Sequence, residues 1–319
     1  MSKRLLLIDS TNQFLRAYIV DPSLSANGDP IGGVKGYLKI LQKTLREINP
    51  DFVVMVWDGP GGSRKRTSIV KEYKAGRKPI KLNRNFDLSE HQEAENRAWQ
   101  HTRCVEYINN FPVIQFAEPD VEADDIISYI ARHNTFSGWE KVIMSSDKDF
   151  IQLCDKETVL YRPTQKEVLS EKAILERFGI HPNNFALARA IDGDKSDNLK
   201  GVPGAGLATI AKRLPFLKEE KDCTIDDVFS YSEKHRDEFK FYSNLVDNKK
   251  LVKTNYKIMQ LYSPIISLHT IKKVNNTISN SKMMLNRTGV VKMMIEDGFG
   301  EGNWDDLFRH MKKIVISNK

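Results

Sequence analysis

Short, uniformly apolar runs alternate along this chain with longer segments whose apolar residues recur every three or four positions. Leu5–Ile8, Phe52–Trp57 and Lys141–Met144 are β-favouring runs, closed in turn by Asp9, by Asp58 and by Ser145-Ser146-Asp147. Runs this short and this apolar predict strands of a parallel sheet buried on both faces. Pro112–Phe116 offers a further strand. Val34–Ile48 and Asp87–Asn109 have helical length and periodicity and predict the crossovers between strands, which makes the first half α/β. Beyond about Ser170 the strand signal fades. Glu171–Phe178, Pro182–Ile191 and Leu207–Leu214 read as helices, the last preceded by a glycine-rich turn. The C-terminal hundred residues have weak periodicity and predict helix, with some strand around Lys249–Leu261.

Composition places the chain among soluble globular proteins: 319 residues, 40% of them apolar, with 49 Lys+Arg against 42 Asp+Glu for a formal charge of +7. The length suggests two domains. The basic excess is local. Gly62 to Arg84 holds nine basic residues (Arg64, Lys65, Arg66, Lys71, Lys74, Arg77, Lys78, Lys81 and Arg84) and one acid, Glu72, leaving 40 bases and 41 acids elsewhere. Such a stretch is either a solvated face or an element that binds a polyanion. No apolar run approaches the length of a signal-peptide core or a membrane span, so a membrane protein is not expected. Cys104, Cys154 and Cys223 form no CxxC, and the seven histidines form no HExxH, so neither a disulfide framework nor a zinc site is suggested. The expected compartment is a reduced cytosol, of a cell or of an infected cell.

Ligands of open parallel sheets bind at the carboxyl ends of the strands. Asp9, Asp58, Asp147 and Asp149 should therefore meet at one edge, joined by Glu122, Asp124 and Asp125 of Val121-Glu-Ala-Asp-Asp and by Asp194 and Asp197 of Asp192-Gly-Asp-Lys-Ser-Asp. One such acid is ordinarily a helix cap or a solvated turn. Nine on one sheet edge repel one another unless cations sit among them. Hard oxygen donors without histidine or cysteine suit Mg²⁺ or Mn²⁺. Two such ions, about 3.5–4 Å apart, are a recurrent device of phosphodiester cleavage. One geometric tension accompanies this set. On a regular helix Glu122 and Asp125 share a face, whereas Asp124 points about 160° away from Glu122. Either the helix begins within this segment, or Asp124 works through a water or faces another group.

Asp197 to Ala211 reads as a helix end, a turn punctuated by Gly201, Pro203, Gly204 and Gly206, and a second helix, flanked by Lys200, Lys212 and Arg213. A plain turn is one reading. Beside Asp194 and Asp197, the other is a backbone cradle for the phosphates of a duplex, binding without base readout and weakening with salt.

Taken together, strand-terminal Asp9, Asp58 within VVMVWDGP, the basic EYKAGRKP, VEADD, SSDKDF and GDKSDNLKGVPGAGLATIAKRL resemble, in order, the structure-specific 5′-nuclease (flap endonuclease) family. The resemblance runs from Asp9 to about Arg213. It implies a PIN-like, mostly parallel central sheet flanked by helices, with a helical arch and a C-terminal helix-three-turn-helix domain. Residues 1–165 would form the nuclease domain with the arch at about 62–84, and 166–319 a mostly helical duplex-binding domain with its hairpin at about 186–214. The implied activity is 5′ to 3′ exonuclease and flap endonuclease cleavage near single-strand to duplex junctions during primer or flap removal, leaving 5′-phosphates. By position, Asp9, Asp58, Glu122, Asp124 and Asp125 would hold or support a first Mg²⁺, and Asp147, Asp149, Asp194 and Asp197 a second, with Asp147 near both. Mn²⁺ would substitute. Lys74 and Arg77 would steer the scissile phosphate and offset its charge. Tyr73 either stacks on a base or packs. Arg64, Lys65, Arg66, Lys71, Lys78 and Lys81 would contact the 5′ strand, and Lys200, Gly201, Gly204, Gly206 and Lys212 the duplex, with K⁺ on the hairpin carbonyls. The expected partners are 5′-flap, nicked or gapped DNA, an RNA–DNA hybrid as an alternative, and replication proteins, met by a monomer. Trp304 to Arg309 reads as a core helix more than a clamp-binding peptide. The competing readings are a junction-binding protein without catalysis, a ribonuclease acting on RNA primers, and a metal-dependent phosphatase or toxin-type ribonuclease, which would have no need of the hairpin.

Overall fold

The computed structural model describes residues 2–76, 82 and 88–318. Its strands are β1 (Arg4–Asp9), β2 (Phe52–Trp57), β3 (Ile114–Ala117), β4 (Glu140–Met144), β5 (Thr158–Arg162) and β6 (Glu167–Leu169), and they form one sheet of order β3-β2-β1-β4-β5-β6. β1 to β5 run parallel, and β6 closes the edge antiparallel to β5. Ile8 of β1 lies opposite Met55 of β2 and Met144 of β4. That register brings the carboxyl ends of the three central strands level, which is what places Asp9, Asp58 and Asp147 at one edge.

The helices are α1 (Ser10–Val20), α2 (Gly32–Ile48), α3 (Arg64–Ile69), α4 (Glu90–Ile108), α5 (Ala123–Ala131), α6 (Glu171–Phe178), α7 (Phe185–Asp192), α8 (Leu207–Arg213), α9 (Ile225–Lys234), α10 (Lys240–Asp247), α11 (Lys249–Met259), α12 (Leu268–Asn280), α13 (Arg287–Glu296) and α14 (Asp305–Ser317). Successive residues of β1 enter opposite cores. Leu5 and Leu7 pack with Val54, Ile143, Ile126 and Ile174, while Leu6 and Ile8 pack with Val53, Met144, Tyr37 and Leu41. Residues from α6 to α12 complete the first core, and α13 and α14 return to the second through Val290, Met294, Leu307 and Met311. Each fully buried aliphatic side chain contributes about 1.5–3 kcal/mol to holding this sandwich.

Three expectations change on contact with the structure. The strand expected around Lys249–Leu261 is helix α11, whose buried Val252, Asn255, Ile258 and Met259 fall on one helical face. Packing of that face on α7 outweighs strand propensity in this stretch. Thr158–Arg162 and Glu167–Leu169 are strands that the polar flanks concealed. The helix expected from Asp87 begins at Glu90, where Ser89 and Gln92 form a reciprocal capping box. Trp304 to Arg309 opens α14, a core helix that buries Leu307 and Phe308. Among the described residues, no helix is long and apolar enough to cross a membrane.

Candidate active site

Asp9 is both the last residue of β1 and the N-cap of α1. Its Oδ1 accepts from the Asn12 amide at 3.1 Å and its Oδ2 from Ser145 Oγ at 2.9 Å. Burial, with the charge of Asp58 added, pushes its carboxyl up to about 7. Asp58, just past β2, accepts at Oδ1 from the Ala123 amide at 2.8 Å and so fastens the start of α5 to the sheet edge. This start settles the geometry of Val121 to Asp125. Glu122 is the extended N-cap residue and Ala123 the first helical position, so Glu122 and Asp124 are not bound by helical spacing and approach the same cation.

That cation is Arg66. It is buried on α3, with Nη1 at 2.7 Å from Asp125 Oδ2 and 2.9 Å from Glu122 Oε2, Nη2 at 3.3 Å from Asp124 Oδ2, and Nε donating to the Ile258 carbonyl at 3.1 Å. Arg66 was expected on nucleic acid; the structure instead makes it the counter-charge of three acids. Asp125 is likewise used up, because Oδ1 also accepts from the Ile265 amide at 2.8 Å. It supports the site rather than facing it. Lys74 Nζ reaches Glu122 Oε1 at 2.8 Å. Burial alone would raise the Glu122 carboxyl, but Arg66 and Lys74 outweigh it and hold it below its ordinary range. Burial alone would lower the Lys74 ammonium; Glu122, Asp124 and Asp197 raise it instead. Tyr73 packs: it is buried among Leu199, Ile258 and Met259, and its hydroxyl donates to Glu122 Oε2 at 3.1 Å. It does not offer a ring to a base. Asp124 Oδ1 is buried with no hydrogen-bond partner, and burial raises its carboxyl despite Arg66.

The second group of acids lies beyond β4. Asp147, open to the cleft, accepts at Oδ1 from the Asp149 amide at 2.8 Å. Lost hydration, then the charges of Asp149, Asp9 and Asp197, push its carboxyl up to about 7. Arg189 of α7 is the counter-charge here. Its Nε donates to Asp149 Oδ1 at 2.8 Å, its Nη2 to Asp194 Oδ2, and its Nη1 to the Gly193 carbonyl at 3.1 Å. Asp194 also accepts from the Ser196 amide at 2.7 Å, and these bonds overcome burial to hold its carboxyl low. The Asp197 carbonyl accepts from the Lys74 amide at 2.9 Å, joining the two groups. Between them lies a cleft of about 510 Å³ lined by Lys74, Asp124, Asp147, Asp149, Asp194 and Asp197, with Arg66, Arg189, Lys148 and Lys195. Among the described residues, no three His, Cys, Asp or Glu side chains already converge tightly enough to grip one ion. Arg66, Lys74 and Arg189 supply the counter-charges among these carboxylates.

Of the remaining predicted contacts, Arg64 is exposed and pairs with Asp120 at 3.0 Å, Lys65 donates to the Ile265 carbonyl at 2.9 Å, and Lys71 is exposed. Arg77, Lys78 and Lys81 lie outside the described residues. In the hairpin, Lys200, Gly204, Gly206 and Lys212 stand on the exposed side. Gly201 does not: a Cβ there would sit 1.9 Å from the Asp192 carbonyl oxygen, so this glycine serves close packing of the turn on α7. The Val202 and Pro203 carbonyls, expected to hold K⁺, accept from the Ala205 amide at 3.1 Å and from Asn244 Nδ2 at 3.0 Å. Arg189, Asn12, Lys148 and Lys195 were missed. Arg189 had a signal, a lone charge in the apolar Phe-Ala-Leu-Ala-Arg-Ala-Ile three and five residues before aspartates.

A parallel sheet with carboxylates along its carboxyl edge, facing two clamped cations and a glycine hairpin, is a nuclease scaffold. The family model for the 5′-3′ exonuclease N-terminal resolvase-like domain matches residues 4–179, more than half of the chain. The chain belongs to this family of structure-specific 5′-nucleases. It is 26% identical to a 5′-3′ exonuclease of Aquifex aeolicus over 264 residues, 82% of this chain and 83% of that protein. It is 32% identical to DNA polymerase I of Bacillus subtilis over 217 residues, which is 66% of this chain and 23% of the polymerase. In structure it is similar to the T5 5′-exonuclease with bound zinc, with a TM-score of 0.64 at 18% identity, covering 99% of this chain and 100% of that one. That likeness is one of fold.

Proposed function

We propose that this nuclease hydrolyses phosphodiester bonds near single-strand to duplex junctions of DNA, with divalent cations, Mg²⁺ above all, held between its two groups of acids. The observation that carries the reading is the buried Asp124 Oδ1 without a partner, in the same cleft as an Asp147 carboxyl raised to about 7. Asp124 has Arg66 on one oxygen and nothing on the other, Asp147 is crowded by negative charge, and an all-oxygen donor set fits a hard divalent ion. Asp9, Asp58, Glu122 and Asp124 would hold or support one ion and Asp147, Asp149, Asp194 and Asp197 the other. Bound there, such ions lower the pKa of water and stabilise the attacking and leaving oxygens of an in-line displacement.

The chain's own residues do the rest. Lys74, half-buried and kept protonated by its acids, presents a cation to the scissile phosphate, where charge develops as the bond breaks. Arg66 and Arg189 are bound by carboxylates and backbone carbonyls and keep the two groups of acids in place. The exposed Lys200, Gly204, Gly206 and Lys212 offer a duplex backbone a contact that reads no bases. A labelled 5′-flap duplex incubated with Mg²⁺ or with EDTA tests this directly: cleavage is expected only with Mg²⁺. Asp147→Asn should abolish cleavage and retain junction binding in Ca²⁺. Turnover retained by that variant would sink the assignment.

A further inference from the structure

We infer that Asn198 is a positioning residue that fastens the Lys74 turn to the acidic turn of residues 194–199 and so aims the Lys74 ammonium into the cleft. The inference rests on the nuclease reading above and deepens it.

Lys74 and Asn198 both have φ of 58°. The left-handed region is tolerated by asparagine but unfavourable for lysine, and a lysine stays there only when its surroundings hold it. What holds it is on the other side of the cleft. The Lys74 amide donates to the Asp197 carbonyl at 2.9 Å, and Asn198 Nδ2 donates to the Glu72 carbonyl at 2.9 Å. Under these two bonds Tyr73 packs on Leu199. The turn at the other end of the link is itself closed, because Asp194 and Leu199 exchange backbone hydrogen bonds of 2.9 and 2.7 Å. Asn198 is exposed at the tip of that turn, four residues after Asp194 and one after Asp197. Its amide therefore links a strained catalytic lysine to two of the acids that lie across from it. Without the amide, the Lys74–Asp197 bond is the one backbone bond left between the two turns among the described residues, and the Lys74 ammonium and Tyr73, both anchored on Glu122, must hold the strained turn with less support.

Asn198→Gly removes the donor while allowing the same φ. Asn198→Asp keeps the shape but, once ionised, has no proton to donate. Both are read by the single-turnover rate on a saturating 5′-flap duplex with Mg²⁺ and by the Kd of that duplex in Ca²⁺. The expected outcome is a rate about 10- to 100-fold lower, the scale of a small misplacement of a reacting group. Kd should move by less than about threefold, the split expected when only transition-state interactions are lost. Because Asn198 acts through Lys74, Asn198→Gly should cost nothing further in the Lys74→Ala background. Rates equal to wild type in both variants, or losses that add to that of Lys74→Ala, would overturn the inference. A wild-type chain that leaves the flap duplex uncut would instead overturn the nuclease reading itself.

Discussion

Two buried arginines organise the acids of this site, and they do so differently. Arg66 binds Glu122, Asp124 and Asp125 in the interior, and Asp125 is closed off further by a backbone amide. Arg189 binds Asp149, Asp194 and, at 3.5 Å, Asp192 at the wall of the cleft, next to an Asp147 that pairs with no arginine among the described residues. The first arrangement is the more heavily compensated, with Arg66 and Lys74 both on Glu122, yet its Asp124 faces the cleft with Oδ1 unpaired. The second is half-balanced and open, so its remaining negative charge is available to an ion. A single sheet edge thus contains one group of acids compensated mainly by the protein's own cations and one left more open.

The strongest way to break this comparison is to remove each arginine. Arg66→Ala leaves three carboxylates without their cation and should destabilise the protein by about 3–5 kcal/mol in urea unfolding, as for other buried pairs broken on one side. Added Mg²⁺ should restore little. Arg189→Ala should cost less, about 1–3 kcal/mol for carboxylates that water can still reach, and millimolar Mg²⁺ should restore most of it by binding the folded state. Equal losses, equally restored, would erase the distinction.

The pH dependence of the metal-free protein sharpens it. Asp9 and Asp147 titrate at about 7 in the folded chain against an ordinary 3.8. Between those values the folded state binds more protons than the unfolded one, so the stability these groups allow is full below pH 3.8 and is lost as pH rises towards 7. In EDTA, Asp147→Asn should therefore unfold at higher urea than wild type at pH 8 and at the same urea at pH 4. No gain at pH 8 would mean that Asp147 is not crowded by negative charge. The smallest effect is expected at the rim. Lys195 lines the open cluster, and Lys195→Ala should reduce the salt slope of flap binding by about one while sparing stability; an unchanged slope would remove it from the phosphate path.

The same contrast governs what could be read from the sequence. Asp9, Asp58 and Asp147 were legible because each ends a short apolar run, and strand ends of a parallel sheet must gather. Arg66 was not, since one arginine among nine basic residues looks like all the others until the fold buries it. Arg189 sat in a segment read only for its helix. Gly201 and Tyr73 are expected on nucleic acid, and what turns them to packing is the Asp192 carbonyl and the Leu199 side chain, brought close by tertiary structure alone. α11 was taken partly for strand because Val252, Tyr256 and Ile258 favour either state, and the choice fell to packing on α7.

Asp9 has a last consequence, for how freely this position can vary. One oxygen caps α1 and the other meets Ser145, while the charge serves the site. Asparagine would keep the cap and lose the charge; glutamate would keep the charge and reach too far for the cap. Every substitution forfeits either the start of a helix or the negative charge at the sheet edge. Selection for stability and selection for cleavage therefore diverge at this residue, and a library randomised at position 9 should return aspartate or asparagine when stability is screened and aspartate alone when cleavage is.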